Sequence, residues 1–148
     1  MSFTAQRLLL IIAIVAALGI VVSSVSLDHH FRKSKTSYCD FGQSFNCDIV
    51  NRSEYSSIAG IPVALIGILG YVALLAFATV YRAKAETPGI LLAASVGGLA
   101  FALYLTYVEK FILGVWCVLC LTSLAAILTI AVLAIILFVH SLNRARKA

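Results

Sequence analysis

Gly114-Val115-Trp116-Cys117-Val118-Leu119-Cys120 opens an apolar run that continues without a charge to Val139. Two cysteines three apart, at the mouth of such a run, set the reading of the whole chain. A helix needs about 20 apolar residues to cross the ~30 Å core of a bilayer, and the run from Cys117 to Val139 suffices. On a helix, positions i and i+3 share a face, so the two sulfurs can close a disulfide or act in turn on one bound molecule. A helix N-terminus carries roughly half a positive charge and favours a thiolate there. A Cys-x-x-Cys pair so placed is a redox device before it is anything else.

The rest of the chain continues the apolar theme. Of its 148 residues, 62% are hydrophobic and 11% charged, where a soluble domain carries about 25% charged residues. The chain reads as an all-α integral membrane protein of one domain, residues 1–148. Crossings are expected at about 8–27, 58–81, 88–108 and 117–139, with Pro62 near the start of the second, where a missing N–H costs least. Short connections imply antiparallel neighbours, hence a four-helix transmembrane bundle. For the first run, Leu8 to Val25, a secretory signal peptide is the alternative, because Arg7 precedes it and Ser24-Val25-Ser26 is a passable cleavage site. The run is longer than a signal core, and a retained helix is adopted.

Residues 28–57 form one long polar segment, expected to cap the active site as a loop. Gly42, Ser44 and Asn46 make the piece between Cys39 and Cys47 flexible. Ser53 to Ser57 reads as a helix start with serines as N-caps. His29 and His30 read as solvated loop residues, and Glu109 to Trp116 as a short turn. Tyr107, Phe111 and Trp116 read as an interfacial aromatic belt. Small residues four apart (Ala93 and Gly97, Ala94 and Gly98, Gly98 and Ala102) read as ordinary close packing of helices. The net charge of +5 does not point to nucleic acid, since the charges fill gaps between apolar runs rather than forming a stripe.

With four crossings both termini share a side. Arg7, Arg82, Lys84, Arg144, Arg146 and Lys147 crowd the short segments there, while Arg32, Lys33, Lys35, Arg52 and Lys110 spread over longer ones on the other side. That density places the termini in the cytoplasm. Under either orientation Cys39, Cys47, Cys117 and Cys120 fall on one side, and under this one it is extracytoplasmic, where disulfides persist.

Three chemistries suit these four cysteines. Two inert staples are possible, although a bond across Cys117 and Cys120 closes a tiny loop and adds little. A zinc centre of all four sulfurs is possible, although one pair is widely spaced and the other leads into hydrocarbon. The third is a thiol–disulfide relay, in which a mobile outer pair collects electrons and hands them through a mixed disulfide to the helix pair. Cys120, one turn deeper, then passes them to something lipid-soluble, and the natural two-electron acceptor in a bilayer is a quinone. The relay is adopted, with no metal.

At these residues the chain resembles the vitamin K epoxide reductase family. The pattern is Cys39-Asp-x6-Cys47, then Ser53, then Ser57-x-x-Gly60, then Cys117-x-x-Cys120, and it spans the whole core. The resemblance implies that Cys39 exchanges with a separate thioredoxin-like (DsbA-type) thiol protein, since no such domain is fused here. It implies that Cys47 bridges transiently to Cys117, that Cys120 is the thiolate meeting the quinone, and that the Ser53 hydroxyl lies close to the relay. Quinone contacts are expected at Ser56, Ala59, Leu105, Trp116 and Leu124. The animal enzymes carry an asparagine and a tyrosine where this chain has Ser56 and Leu124. Leu124 cannot donate, so the resemblance implies quinone reduction in support of disulfide formation, in a bacterial inner membrane, rather than epoxide reduction.

Overall fold

The computed structural model describes residues 3–31, 42 and 44–147. Its elements are α1 (Phe3–Phe31), α2 (Cys47–Arg52), a 3-10 turn (Glu54–Ser56), β1 (Ser57–Ile58), β2 (Ile61–Pro62), α3 (Val63–Thr79), α4 (Thr87–Val108), a π turn (Glu109–Leu113) and α5 (Val118–Lys147). The four long helices touch in a closed ring, α1 to α3 to α4 to α5 and back to α1, with the α3–α4 contact the sparsest. Three helical stretches, Phe3–Phe31, Thr87–Leu113 and Val118–Lys147, are long and apolar enough to cross a membrane, and Val63–Thr79 is a shorter apolar helix. Their outward faces are as greasy as their inward ones: Leu10, Ile14, Leu18 and Val21 on α1, and Val132, Ile135, Ile136 and Val139 on α5, are exposed. Helices apolar all round belong in lipid, and this is an all-α membrane protein.

The inward face of α1 runs through Leu9, Ile12, Ala16, Gly19, Ser23, Ser26 and His29 at steps of three and four. Apolar association is no driving force between helices surrounded by lipid, so close packing and hydrogen bonds hold them. Gly19 shows how. A Cβ there would collide with the Tyr71 ring, so the glycine lets that ring lie across α1. The Tyr71 hydroxyl then donates to the Ser123 carbonyl on α5 at 2.9 Å, with Ser123 Oγ at the same distance. One side chain thus ties α1, α3 and α5.

Four expected boundaries move. The first helix runs on to Phe31, because a helix need not stop where its apolar stretch does. The expected second crossing, 58–81, begins as a hairpin instead, and its helix covers Val63–Thr79. In the hairpin Ser57 pairs with Pro62 and Ile58 with Ile61, and Ala59 (φ 52°) and Gly60 (φ 81°) supply the two left-handed residues of the tight turn. Such turns match the twist of paired strands, and glycine adopts them freely while alanine does so at a cost. The stretch after Val108 keeps winding as a π turn, and the last helix runs past Val139 to Lys147.

Candidate active site

The site is built where α4 gives way to α5. The π turn Glu109–Leu113 ends at Gly114, whose φ of 65° reverses the chain. Val115 N–H then bonds back to the Glu109 carbonyl at 3.2 Å. This winding aims the Cys117 N–H at the Glu109 carboxylate, with Oε2 accepting at 3.1 Å. Cys117 immediately precedes α5, and its carbonyl accepts the first helical bond, from Leu121 N–H at 3.0 Å. Its sulfur therefore faces the free N–H groups of the helix's first turn, those of Leu119 and Cys120, and the Cys120 side chain. A donor atom of Glu109 and the sulfurs of Cys117 and Cys120 all lie within 4.8 Å of one another.

A second element brings Cys47 to the same place. Asn46 caps α2, accepting from Ile49 N–H through Oδ1 at 3.0 Å. Phe45 and Trp116 form a parallel bridge, with Asn46 N–H donating to the Trp116 carbonyl at 3.0 Å and Trp116 N–H to the Ser44 carbonyl at 2.9 Å. Cys47 and Cys117 follow directly on this bridge. Both have 0% exposure and share a buried cluster with Val50 and Val115. Cys47 is disulfide-bonded, whereas Cys117 and Cys120 are free thiols. Cys39 lies outside the described residues. A zinc centre of four thiolates is incompatible with this state, because a disulfide sulfur is no thiolate, and Glu109, Cys117 and Cys120 offer one donor fewer than a closed tetrahedral site needs.

The cap is fastened to α1. His29, expected in a solvated loop, is 1% exposed and faces Asp48 of α2, with Nδ1 and Oδ1 3.3 Å apart. His30 Nδ1 donates to the Asn51 carbonyl at 2.6 Å and lies 3.3 Å from Ser56 Oγ. Ser26 Oγ donates to Asn51 Oδ1 at 2.7 Å. Both histidines fall in place because α1 carries its inward face beyond the apolar stretch. Ser53 is not the side-chain N-cap expected of it. Its hydroxyl bonds back to the Val50 carbonyl at 2.8 Å, where it closes α2.

Beneath the cap, inside the ring of helices, lies a cavity of about 420 Å³ with a mostly apolar wall. That is ample for a small ligand, since such pockets run from about 300 to 1,000 Å³. Ala64, Gly67 and Gly70 on α3 and Ala94, Gly97 and Gly98 on α4 border it. The small residues of α4, read as ordinary close packing, thus carve space as well. Cys120 and Glu109 border the cavity at its cap end, with Ser53, Ser56 and Leu105 also on its wall. Ala59, Trp116 and Leu124 do not line it. Ala59 is spent in the hairpin turn and Trp116 in the bridge to Phe45. The wall face of α5 is Leu119, Cys120, Ser123 and Ile127, and Leu124, one residue past Ser123, is turned about 100° away. Among the described residues, the buried side-chain polar atoms without a hydrogen-bond partner are Asn51 Nδ2 and Glu109 Oε1, and both residues stand on this wall.

The sequence that builds this site and the helices around it matches a family model, described as the vitamin K epoxide reductase family, over residues 10–135. The chain belongs to the vitamin K epoxide reductase family. No individual curated protein matches it significantly. Membership makes the protein a membrane oxidoreductase of a family that reduces quinones and vitamin K epoxide. Glu109 and Asn51 are the site residues that sequence reasoning missed. An acid flanking an apolar run looks like an interfacial residue, and an asparagine in a polar segment looks solvated. For Glu109 the available signal was its place eight residues ahead of Cys117, on the same approach to the pair.

Proposed function

We propose that this vitamin K epoxide reductase family member is a quinone-linked thiol–disulfide oxidoreductase that supports disulfide formation outside the cytoplasm of a bacterium. Electrons enter from a separate thioredoxin-like thiol protein at Cys39, pass to Cys47, cross to Cys117 through a transient bridge, and leave from Cys120 to a quinone in the cavity. The observation that carries this reading is the position of the helix pair. Cys117 backs onto disulfide-bonded Cys47 on one side, while Cys120 borders an apolar cavity on the other. Ser53 stands on that wall as well, and its hydroxyl serves beside the relay.

All four long helices cross the membrane in this reading, with the termini cytoplasmic and α2 and the 3-10 turn after it capping the outer mouth. The 17 residues of α3 span only about 25 Å at 1.5 Å per residue. The hairpin supplies the rest, since two strand residues add about 6.6 Å, and Ile58 and Ile61 keep that end apolar. Ser56, Leu105 and the Asn51 amide contact the quinone ring. Leu124 brings it no hydroxyl, so epoxide reduction is slow beside quinone reduction.

Two serine variants test the relay. Cys39→Ser is expected to fail with a reduced thioredoxin-like donor yet still pass electrons from dithiothreitol, which reaches Cys47 or Cys117 directly. Cys120→Ser is expected to abolish reduction of decylubiquinone with either donor and to accumulate a Cys47–Cys117 bridge, visible by mass-spectrometric mapping. Equal loss with both donors in Cys39→Ser refutes the outer shuttle, and residual quinone reduction in Cys120→Ser removes it as the electron donor.

A further inference from the structure

Oxidising two thiols and reducing a quinone moves two protons as well as two electrons, and the site is buried. Glu109 is 1% exposed, and its carboxylate lies within 4.8 Å of both sulfurs and on the cavity wall. One oxygen is occupied: Oε2 accepts the Cys117 N–H. The carboxylate also faces the Cys120 thiol, and Oε1 has no hydrogen-bond partner among the described residues. A neutral glutamine would cap the Cys117 N–H equally well and would avoid the cost of burying an ionisable group. The second oxygen is therefore what a structural role leaves unexplained.

We infer that Glu109 is the proton carrier of this reaction, taking a proton from the Cys117–Cys120 thiol pair and delivering it to the nearer ring oxygen of the quinone. This rests on the function proposed above. Atoms and electrons balance. The S–S bond forms between Cys117 and Cys120, and the electron pair released enters the quinone ring. One thiol proton travels through Glu109 to the nearer oxygen. The other is released to water at the cap, and water supplies the proton that completes the quinol at the far oxygen. Glu109 ends as it began. Among the described residues, Cys117 and Cys120 are the titratable groups that face it, while Lys110 is turned outward over the Phe111 ring, 5.2 Å from its centroid, and Asp48 of α2 faces His29.

The test uses Glu109→Gln, with Glu109→Asp as the conservative variant, in the full-length detergent-solubilised protein. Two measurements respond in opposite directions. The first is turnover with decylubiquinone. General acid–base groups contribute about 100-fold or more, so Glu109→Gln is expected to lose ~100-fold in kcat with KM little changed, and Glu109→Asp to recover part of it. The second is alkylation of Cys120 by iodoacetamide against pH, in a Cys117→Ser background, which needs no quinone. Removing a negative charge beside a thiol makes its thiolate easier to form, so Glu109→Gln is expected to alkylate faster at pH 7. Slower turnover with faster alkylation supports the carrier. Faster turnover together with faster alkylation, turnover within threefold of wild type, or superimposable alkylation profiles overturn it. Should the wild type reduce no quinone at all, the function proposed above fails, and proton delivery to quinone falls with it; the alkylation profiles then still report whether Glu109 bears its charge against Cys120.

Discussion

Replacing Asn51 by leucine together with Ser26 by alanine should make the empty protein more stable and its quinone site worse. Asn51 is 6% exposed, its Oδ1 accepts from Ser26 Oγ at 2.7 Å, and its Nδ2 has no partner among the described residues. A made hydrogen bond contributes about 1 kcal/mol net, whereas a buried donor left unmade costs about 1–3 kcal/mol. The amide is therefore a net burden of up to about 2 kcal/mol until something in the cavity accepts from it. Removing both partners lifts that burden, and at about 2–4 °C per kcal/mol the melting temperature should rise by a few degrees. A quinone carbonyl that accepts from Nδ2 gains about 1–1.5 kcal/mol, so the double variant should bind decylubiquinone about 5- to 12-fold more weakly. Intrinsic fluorescence melting without quinone measures the first quantity, and KM under slow turnover measures the second. An unchanged KM would refute the amide as a ligand contact. A melting temperature lower than that of Ser26→Ala alone would show that the amide is satisfied.

Two further changes probe the cavity wall. A Cβ on Gly97 meets no heavy atom within 4 Å, so Gly97→Leu should fold normally and extend into the void, raising the KM for decylubiquinone ~10-fold or more with no loss in melting temperature; unchanged kinetics would place the quinone elsewhere. Leu124→Tyr, which would add a donor if position 124 faced the ring, should leave KM within about twofold, less than one hydrogen bond is worth, because Leu124 is off the wall; clear tightening would put it back on.

What the sequence disclosed was what hydrophobicity and cysteine spacing encode. Charge-free runs marked the helices, and the order Cys39, Cys47, Cys117, Cys120 marked a family. Less legible were features that depend on what a helix does beyond its apolar stretch. Counting charges ended the first crossing near Asp28, although α1 continues to Phe31 and buries His29 against Asp48. Gly97 and Gly98 have the spacing of close-packed helices, and spacing alone does not tell whether a neighbouring helix or a void faces them. Asn51 and Glu109 are inward-facing for tertiary reasons, one because α2 docks on α1 and the other because α4 changes its winding. Ser56 and Leu105 stand on the cavity wall while Ala59, Trp116 and Leu124 do not, a division set by the hairpin, the bridge to Phe45 and the angular position of one leucine.

The π turn at Glu109–Leu113 makes the length of this segment as binding as its composition. A π turn is the trace of one residue more than an α-helix would use. Deleting that residue would restore regular winding and swing everything beyond it by about 100° around the helix axis. Trp116 would leave Phe45, the Cys117 N–H would leave Glu109, and Cys47 would lose its neighbour. Phe111 and Ile112 are exposed at 65% and 50% and so tolerate exchange for other lipid-facing residues. Their identity is free, but their number is not.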